Sequence, residues 1–284
     1  MRNDPSPAAT ASIRLGVVSF VNTLPLIDGL EDLDGLALRH SVPSLLIGQL
    51  LAGDVDIALC SSIDYQRSAE ELIILPVGML GCDGPTLTVR LYATRPLTEI
   101  TDVYCDTDSH TSVALMRILL RERFGVDPVV HDYNAREHTA DHKPLDWPDA
   151  MLLIGDKVVT DSPPAVRYPH QLDLGAAWNE WTGLPFVFAA WMARRTIDRE
   201  LLALAAALLD RQRRHNVERI DRMVNRRAVP RDWPADLAAD YLKQKLRYEL
   251  DDRAIAGLER FYEAAERHDL CATRRPVRIE PARS

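Results

Sequence analysis

From residue 13 to residue 93, short apolar runs alternate with amphipathic stretches. The runs I-R-L-G-V-V, A-L-R-H and D-I-A-L-C read as strands, and 24–30, 43–51 and 63–67 read as helices between them. Pro43 and Ser44 suit a helix start, with Leu45, Leu46, Leu50 and Leu51 following at helical spacing. Two further strands, E-L-I-I-L-P-V-G-M-L and T-L-T-V-R-L-Y-A-T, close this block. After Pro96 the order restarts with the strand D-V-Y-C-D, a helix over about 111–124, the strand P-V-V-H-D and a Pro-, Asp- and His-rich loop over 134–148. A-M-L-L-I-G-D, a turn at 162–164, L-D-L-G, a short helix and the strand L-P-F-V-F-A-A-W-M-A follow.

Past Thr196 the pattern becomes entirely helical. Ile197, Leu201, Leu204, Ala205, Leu208 and Leu209 share the spacing of one helix face, and 235–248 and 252–268 carry similar faces. These stripes are expected to pack on the chain's own first half. The terminal R-R-P-V-R-I-E-P-A-R-S reads as a mobile tail, and residues 1–12 as a disordered lead-in without the apolar core of a secretory signal. Alternating βα units predict an α/β fold of two lobes, each an open and largely parallel sheet. Ligands of such sheets sit outside the carboxyl ends of the strands, here in the cleft between lobes.

Charge narrows the partners. The 284 residues carry 34 Lys and Arg against 42 Asp and Glu, a net charge of −8, which argues against nonspecific attraction to nucleic acid or anionic lipid. The longest apolar segments, such as 201–209, fall well short of the ~18 residues of a spanning helix, so no membrane partner and a cytoplasmic location are expected. Cys60, Cys82, Cys105 and Cys271 show no zinc-binding spacing and read as small core fillers. His138 and His142, though four residues apart, fall with His131 in or beside a loop rather than on a predicted helix, so no metal is expected, and no cofactor motif such as G-x-G-x-x-G or a P-loop is present.

The residues at strand ends carry the chemistry. They are Ser19 and Asn22 after the first strand, Ser61 and Ser62 after the third, and Asp83, Thr86 and Thr88 in D-G-P-T-L-T-V. Ser109, His110, Thr111 and Ser112 follow D-V-Y-C-D, and Gly155 and Asp156 follow A-M-L-L-I. Hydroxyls at a helix start can receive a carboxylate together with the backbone N–H groups of the first turn, where the dipole adds about 0.3–1 kcal/mol per anion. The competing reading is local: Ser109, Thr111, Ser61, Ser62 and Asp156 can each cap a helix, and Asn22 can serve a turn. His110, Asp83 and Asp156 are the titratable groups of the set, and none has a partner that sequence identifies.

In order along 13–270, several segments resemble the chorismate dehydratases of the futalosine route to menaquinone. They are I-R-L-G-V-V-S-F-V-N-T-L-P-L, V-P-S-L-L-I-G-Q-L-L-A-G-D-V-D-I-A-L-C-S-S-I-D-Y, D-G-P-T-L-T-V, S-H-T-S-V-A-L, I-G-D-K, D-L-G-A-A-W-N-E-W-T-G-L-P-F-V-F-A-A-W, R-Y-E-L and G-L-E-R-F. The resemblance implies the fold of type II periplasmic binding proteins, with residues 13–93 plus 188–284 as a discontinuous first lobe and 94–187 as an inserted second. It also implies the reaction, loss of water from the dicarboxylate chorismate to give 3-[(1-carboxyvinyl)oxy]benzoate. The family's asparagine in the first strand-to-helix turn matches Asn22, and its serine in G-P-x-x-S-V stands here as Thr88, which keeps the hydroxyl and adds a methyl. Asn22 and Thr88 are thus the expected catalytic residues, with Ser19, Ser61, Ser62, Ser109, His110, Thr111, Ser112, Gly155 and Asp156 binding substrate. Few protein bases are on offer, so the substrate's own enolpyruvyl carboxylate is the expected proton acceptor, with His110 as the other candidate. Two alternatives stand beside this: a small-carboxylate binding protein without chemistry, and 1,4-dihydroxy-6-naphthoate synthase, whose first turn reads like S-P-C-P-N-D-T where this chain has S-F-V-N-T-L-P-L.

Overall fold

The computed structural model describes residues 12–133 and 147–280; the lead-in, most of the 134–148 loop with His138 and His142, and the last four residues lie outside them. β1 (Ile13–Val18) is buried along nearly its whole length, as its continuous apolar run requires of a strand covered on both faces. A 3-10 turn at Val21–Thr23 leads into α1 (Leu24–Ile27), and β2 (Leu36–Ser41) lies parallel beside β1. α2 (Pro43–Ala52) starts on a proline that needs no N–H there and stops at left-handed Gly53. β3 (Ile57–Ser61), α3 (Ser62–Arg67) and β4 (Leu72–Cys82) complete the first run.

The chain then crosses to a second sheet. β5 (Val89–Ala93), β6 (Asp102–Asp106), β7 (Val129–Tyr133), β8 (Ala150–Ile154) and β9 (His170–Asp173) assemble in the order β7-β6-β8-β5-β9. Around them lie α4 (His110–Leu119), prolonged by a π turn at Leu120–Phe124, α5 (Lys157–Thr160) and α6 (Leu174–Thr182). β10 (Phe186–Arg194) returns to the first sheet, and α7 (Arg199–Val217), α8 (Ile220–Met223), α9 (Ala235–Asp240), β11 (Leu246–Arg247) and α10 (Asp252–Arg267) finish the fold. The first sheet reads β11-β4-β10-β3-β1-β2.

Five expectations need correction. The sheets are mixed: β10 runs antiparallel to β3 and β4, and β5 antiparallel to β8 and β9. Both strands follow a crossing between sheets, so they enter against the βα direction, and for the same reason Val89–Ala93 pairs in the second sheet although the sequence grouped 13–93 together. The helix expected over 235–248 widens into a π turn at Tyr241–Lys245 and gives way to β11, which pairs with β4. The face of α7 that packs is Leu202, Ala205, Ala206 and Leu209, while Leu204 is exposed; the segment is apolar on most sides, so periodicity alone could not choose the stripe. The described part of the supposed tail is tied down. Ile74 N–H donates to Arg278 O (2.9 Å), Glu280 N–H to Ile74 O (3.1 Å), and Tyr65 Oη to Pro276 O (2.8 Å), which covers an outer edge of β4.

One core runs through both sheets, from Leu46, Cys60 and Met79 to Leu115, Trp178, Phe186 and Phe261. A second lies behind the first sheet, where α7 and the helices after it cover Leu15, Val17, Leu75 and Trp191. Cys60, Cys82 and Cys105 are buried fillers, and burial pushes their thiols above the ordinary value. Among the described residues no helix is long and apolar enough to cross a membrane.

A Cβ built on Gly257 in α10 would stand 2.1 Å from the Pro185 carbonyl oxygen. Alanine gains about 1 kcal/mol in an open helix, but forcing apart two backbones costs about 1–3 kcal/mol. Gly257→Ala is therefore expected to destabilise, read as an earlier urea midpoint; a later midpoint would refute the packing.

Candidate functional site

The carboxyl ends of β1, β3 and β8 converge on a cavity between the two sheets. Val18, Ser61 and Ile154, each the last residue of its strand, line it, as strand-end logic requires. Phe20, Leu80, Phe188 and Leu246 supply apolar wall.

Asn22 rides on the 3-10 turn after β1. Thr23 pins that turn, its Oγ1 donating to Val18 O (2.7 Å) and Phe20 O (2.8 Å), while Val21 N–H donates to the Asp156 carboxylate from the other sheet (3.1 Å). The Asn22 side chain is held against the Tyr241 hydroxyl, and its Oδ1 is buried with no hydrogen-bond partner among the described residues. A buried acceptor left so costs about 1–3 kcal/mol, which a ligand donor would recover.

Thr88 approaches from the crossing segment before β5, and its Oγ1 lies 2.5 Å from Tyr241 Oη. Tyr241 is fully buried at the start of the π turn. Burial pushes its phenol above the ordinary value, against the pull of the hydrogen bonds from Thr88 and Asn22, so it holds its proton across the neutral range. Ser61 ends β3 with its hydroxyl uncommitted to a cap. Ser109 caps α4, accepting from Ser112 N–H (3.2 Å) and donating to Ser112 Oγ (2.9 Å), which leaves the Ser112 hydroxyl proton to point elsewhere.

The sequence-predicted residues divide. Asn22, Thr88, Ser61, Ser109, Ser112 and Gly155 meet at the cavity. Ser19 does not: it is exposed and bonded to His40 Nδ1 (2.8 Å). Ser62 spends its hydroxyl on Val187 O (2.7 Å), and Thr111 Oγ1 accepts from Ile63 N–H (3.2 Å). His110 Nδ1 lies 2.7 Å from buried Asp64 Oδ1, joining α4 to α3 outside the cavity wall. Asp156 likewise ties Val21, and Asp83 is taken by Asn179 and Arg253. Thr111, His110 and Asp156 thereby fasten one sheet's layer to the other. Thr86, named at a strand end without a role, also lines the cavity, while sequence reasoning misses Thr23 and Tyr241; Tyr241 lies in the helical third, where no strand end points to it.

The electrostatics are unusual for a site between strand ends. Among the described lining residues none is Asp, Glu, His, Lys or Arg. The buried cation nearby, Lys157, is consumed by Asp106 and by Asp108 (2.9 Å); burial pushes the Asp106 carboxyl up against the pull of that ammonium. Positive potential comes instead from helix starts: Pro43 opens α2 and Ser109 caps α4, and both line the cavity. The two starts are joined, since Ser44 N–H donates to Asp108 O (3.2 Å).

A sequence profile described as menaquinone biosynthesis matches residues 13–267. The chain belongs to the menaquinone biosynthesis family. Within reach of that family, a chorismate dehydratase of Thermus thermophilus is 33% identical over 264 residues, covering 88% of this chain and 94% of that protein. Solved structures agree on the fold. A Candida albicans gene product described as exhibiting the generic periplasmic binding protein fold superposes with a TM-score of 0.62 at 12% identity, covering 93% of this chain and 92% of that one. The alkanesulfonate-binding protein of Xanthomonas axonopodis, bound to MOPS, gives 0.59 at 16% identity, covering 97% and 100%. This member of the menaquinone biosynthesis family thus has the two-sheet periplasmic-binding-protein fold that its sequence segments implied.

Removing the Tyr241 hydroxyl leaves Thr88 Oγ1 buried beside Asn22 without its partner. Tyr241→Phe is expected to lower the unfolding free energy by about 1–2 kcal/mol in urea titrations, and an unchanged midpoint would show the contact to be idle.

Proposed function

We propose that this protein dehydrates chorismate, releasing 3-[(1-carboxyvinyl)oxy]benzoate and water. The observation that carries the reading is the cavity's polar lining: hydroxyls and one amide, with no ionised side chain among the described residues. The product ring is aromatic, so the elimination runs downhill and the protein's task is kinetic. It must hold one conformer of a flexible dicarboxylate, leave the proton a destination and ease the departure of hydroxide.

The bonds balance as follows. The ring C3–H bond breaks and its electron pair becomes the C3–C4 double bond; the C4–O bond breaks, and the C3 proton, carried by the base, passes to the departing hydroxide, which leaves as water. The base is the substrate's enolpyruvyl carboxylate, which reaches the C3 proton through a six-membered ring of atoms. Tyr241 and Thr88 act as a donor relay: the phenol donates to Thr88 Oγ1, and the Thr88 hydroxyl turns its proton toward the departing oxygen. Asn22 orients the same end of the ring, and Ser61, Ser112 and the start of α4 receive carboxylate. The two sheets belong to lobes that close about the crossing segments 83–88 and 183–185, excluding water and strengthening every dipole inside. A diffusible acid as substrate accords with action in the cytoplasm.

Pure protein with chorismate is expected to remove the diene absorbance and to accumulate the aromatic acid; binding without consumption would favour a carboxylate carrier instead. An ester of the enolpyruvyl carboxylate is expected to bind and not turn over, and turnover of it would exclude the substrate as base. Asn22→Ala is expected to lower kcat about 100-fold with a much smaller change in KM. Loss of a general base costs about 100- to 10,000-fold, so a near-normal rate for His110→Gln separates the two proton acceptors.

A further inference from the structure

Among the described residues three non-glycine positions have positive φ: Leu87 (65°), Asp232 (62°) and Asp269 (56°). Aspartate tolerates the left-handed region, but a bulky leucine there is strained, at a cost of about 1–3 kcal/mol. Leu87 is also the centre of a three-residue turn, because Thr88 N–H donates to Thr86 O (2.7 Å). Its flanking residues, Thr86 and Thr88, are both buried and both line the cavity. A strained turn therefore aims two hydroxyl-bearing side chains at the reacting centre.

Something must hold that turn. Asp173, the last residue of β9, stands under it with a side chain only 9% exposed. Its Oδ1 accepts from Thr86 N–H (2.9 Å) and its Oδ2 from Leu87 N–H (2.7 Å). Its Oδ1 also accepts from Ala176 N–H (3.0 Å) to cap α6, and Arg90 Nη2 lies 3.6 Å from Oδ2. From the other flank, Gly155 N–H donates to Thr88 O (2.9 Å). The fit below is tight: a Cβ on Gly175, in the first turn of α6, would lie 2.7 Å from Gly84 O and 3.0 Å from Thr86 Cβ.

Capping alone accounts for Oδ1. It does not account for Oδ2, which faces the strained residue itself. We propose that Asp173 is a positioning residue for the dehydration: its carboxylate clamps the Leu87 turn and so sets the Thr88 hydroxyl at the leaving oxygen. The inference rests on the dehydratase reading above and adds to it a residue that touches no substrate. It also explains why an aspartate rather than another helix-capping residue stands at 173, since only a carboxylate offers acceptors to both amides.

Asp173→Asn separates the clamp from the cap. Asparagine caps helices as well as aspartate, but its amide nitrogen opposite Leu87 N–H sets donor against donor. The expected result is a fall in kcat approaching 100-fold, the scale of a misplacement of about 1 Å, with little change in KM or thermal midpoint. Leu87→Gly removes the strain, and the double variant Asp173→Asn with Leu87→Gly is expected to regain most of the lost kcat. A normal kcat for Asp173→Asn overturns the proposal, and so does a loss that Leu87→Gly fails to rescue. Deuterium exchange at the Thr86 and Leu87 amides reads the clamp without turnover, and unaltered exchange in Asp173→Asn overturns it. A wild-type protein that leaves chorismate intact while Asp173→Asn speeds that exchange would sink the dehydratase reading and keep the clamp.

Discussion

The contact between Thr88 and Tyr241 is the one on which the rest of the site depends. Thr88 belongs to the segment that carries the chain from the first sheet to the second, and Tyr241 to the helical layer behind the first sheet. A single 2.5 Å hydrogen bond thus ties three parts of the chain at one point. Both groups are buried, so either one alone would be an unsatisfied polar atom in a mostly apolar wall. The asparagine on the turn after β1 completes the cluster, and the pins on that turn, Thr23 from below and Asp156 from across the cleft, hold it in register.

The fold was legible where local pattern and tertiary role coincide. β1, β3 and β8 are largely apolar runs because they are central and covered, and the ends of these strands and of β6 named Asn22, Ser61, Ser109 and Gly155 as neighbours of one cavity. Legibility failed where a residue's role is set by something distant in sequence. Ser62, Thr111 and His110 sit at the same kind of corner, yet each faces a partner 46 to 125 residues away and none faces the cavity. Tyr241 was invisible for the opposite reason: it lies in a segment whose pattern reads only as helix, and the π turn that swings it into the wall leaves no trace in hydrophobic spacing. The strain at Leu87 was equally silent, because leucine is the last residue that a left-handed turn suggests.

The residues that missed the cavity still shape it. Ile63 to Thr111, Asp64 to His110 and Val21 to Asp156 each join an element of the first sheet's layer to one of the second's. They surround the wall with polar links that are directional and individually weak, of about 1 kcal/mol net each. Such links fix geometry when formed and cost little to release, which suits a site that must admit a ligand between its halves and then hold it still.

The absence of formal charge among the described wall residues has a consequence for the conditions under which the site works. A pocket that attracts acids through arginine or lysine gives up affinity as dissolved ions accumulate and as its own groups titrate. On the proposed reading the attraction comes from peptide dipoles at helix starts and from hydroxyls that neither gain nor lose protons near neutrality. Buried fixed dipoles are screened far less than exposed charges, whose reach shrinks to about 8 Å at physiological ionic strength. Grip on an anionic guest is thereby made insensitive to the surrounding electrolyte.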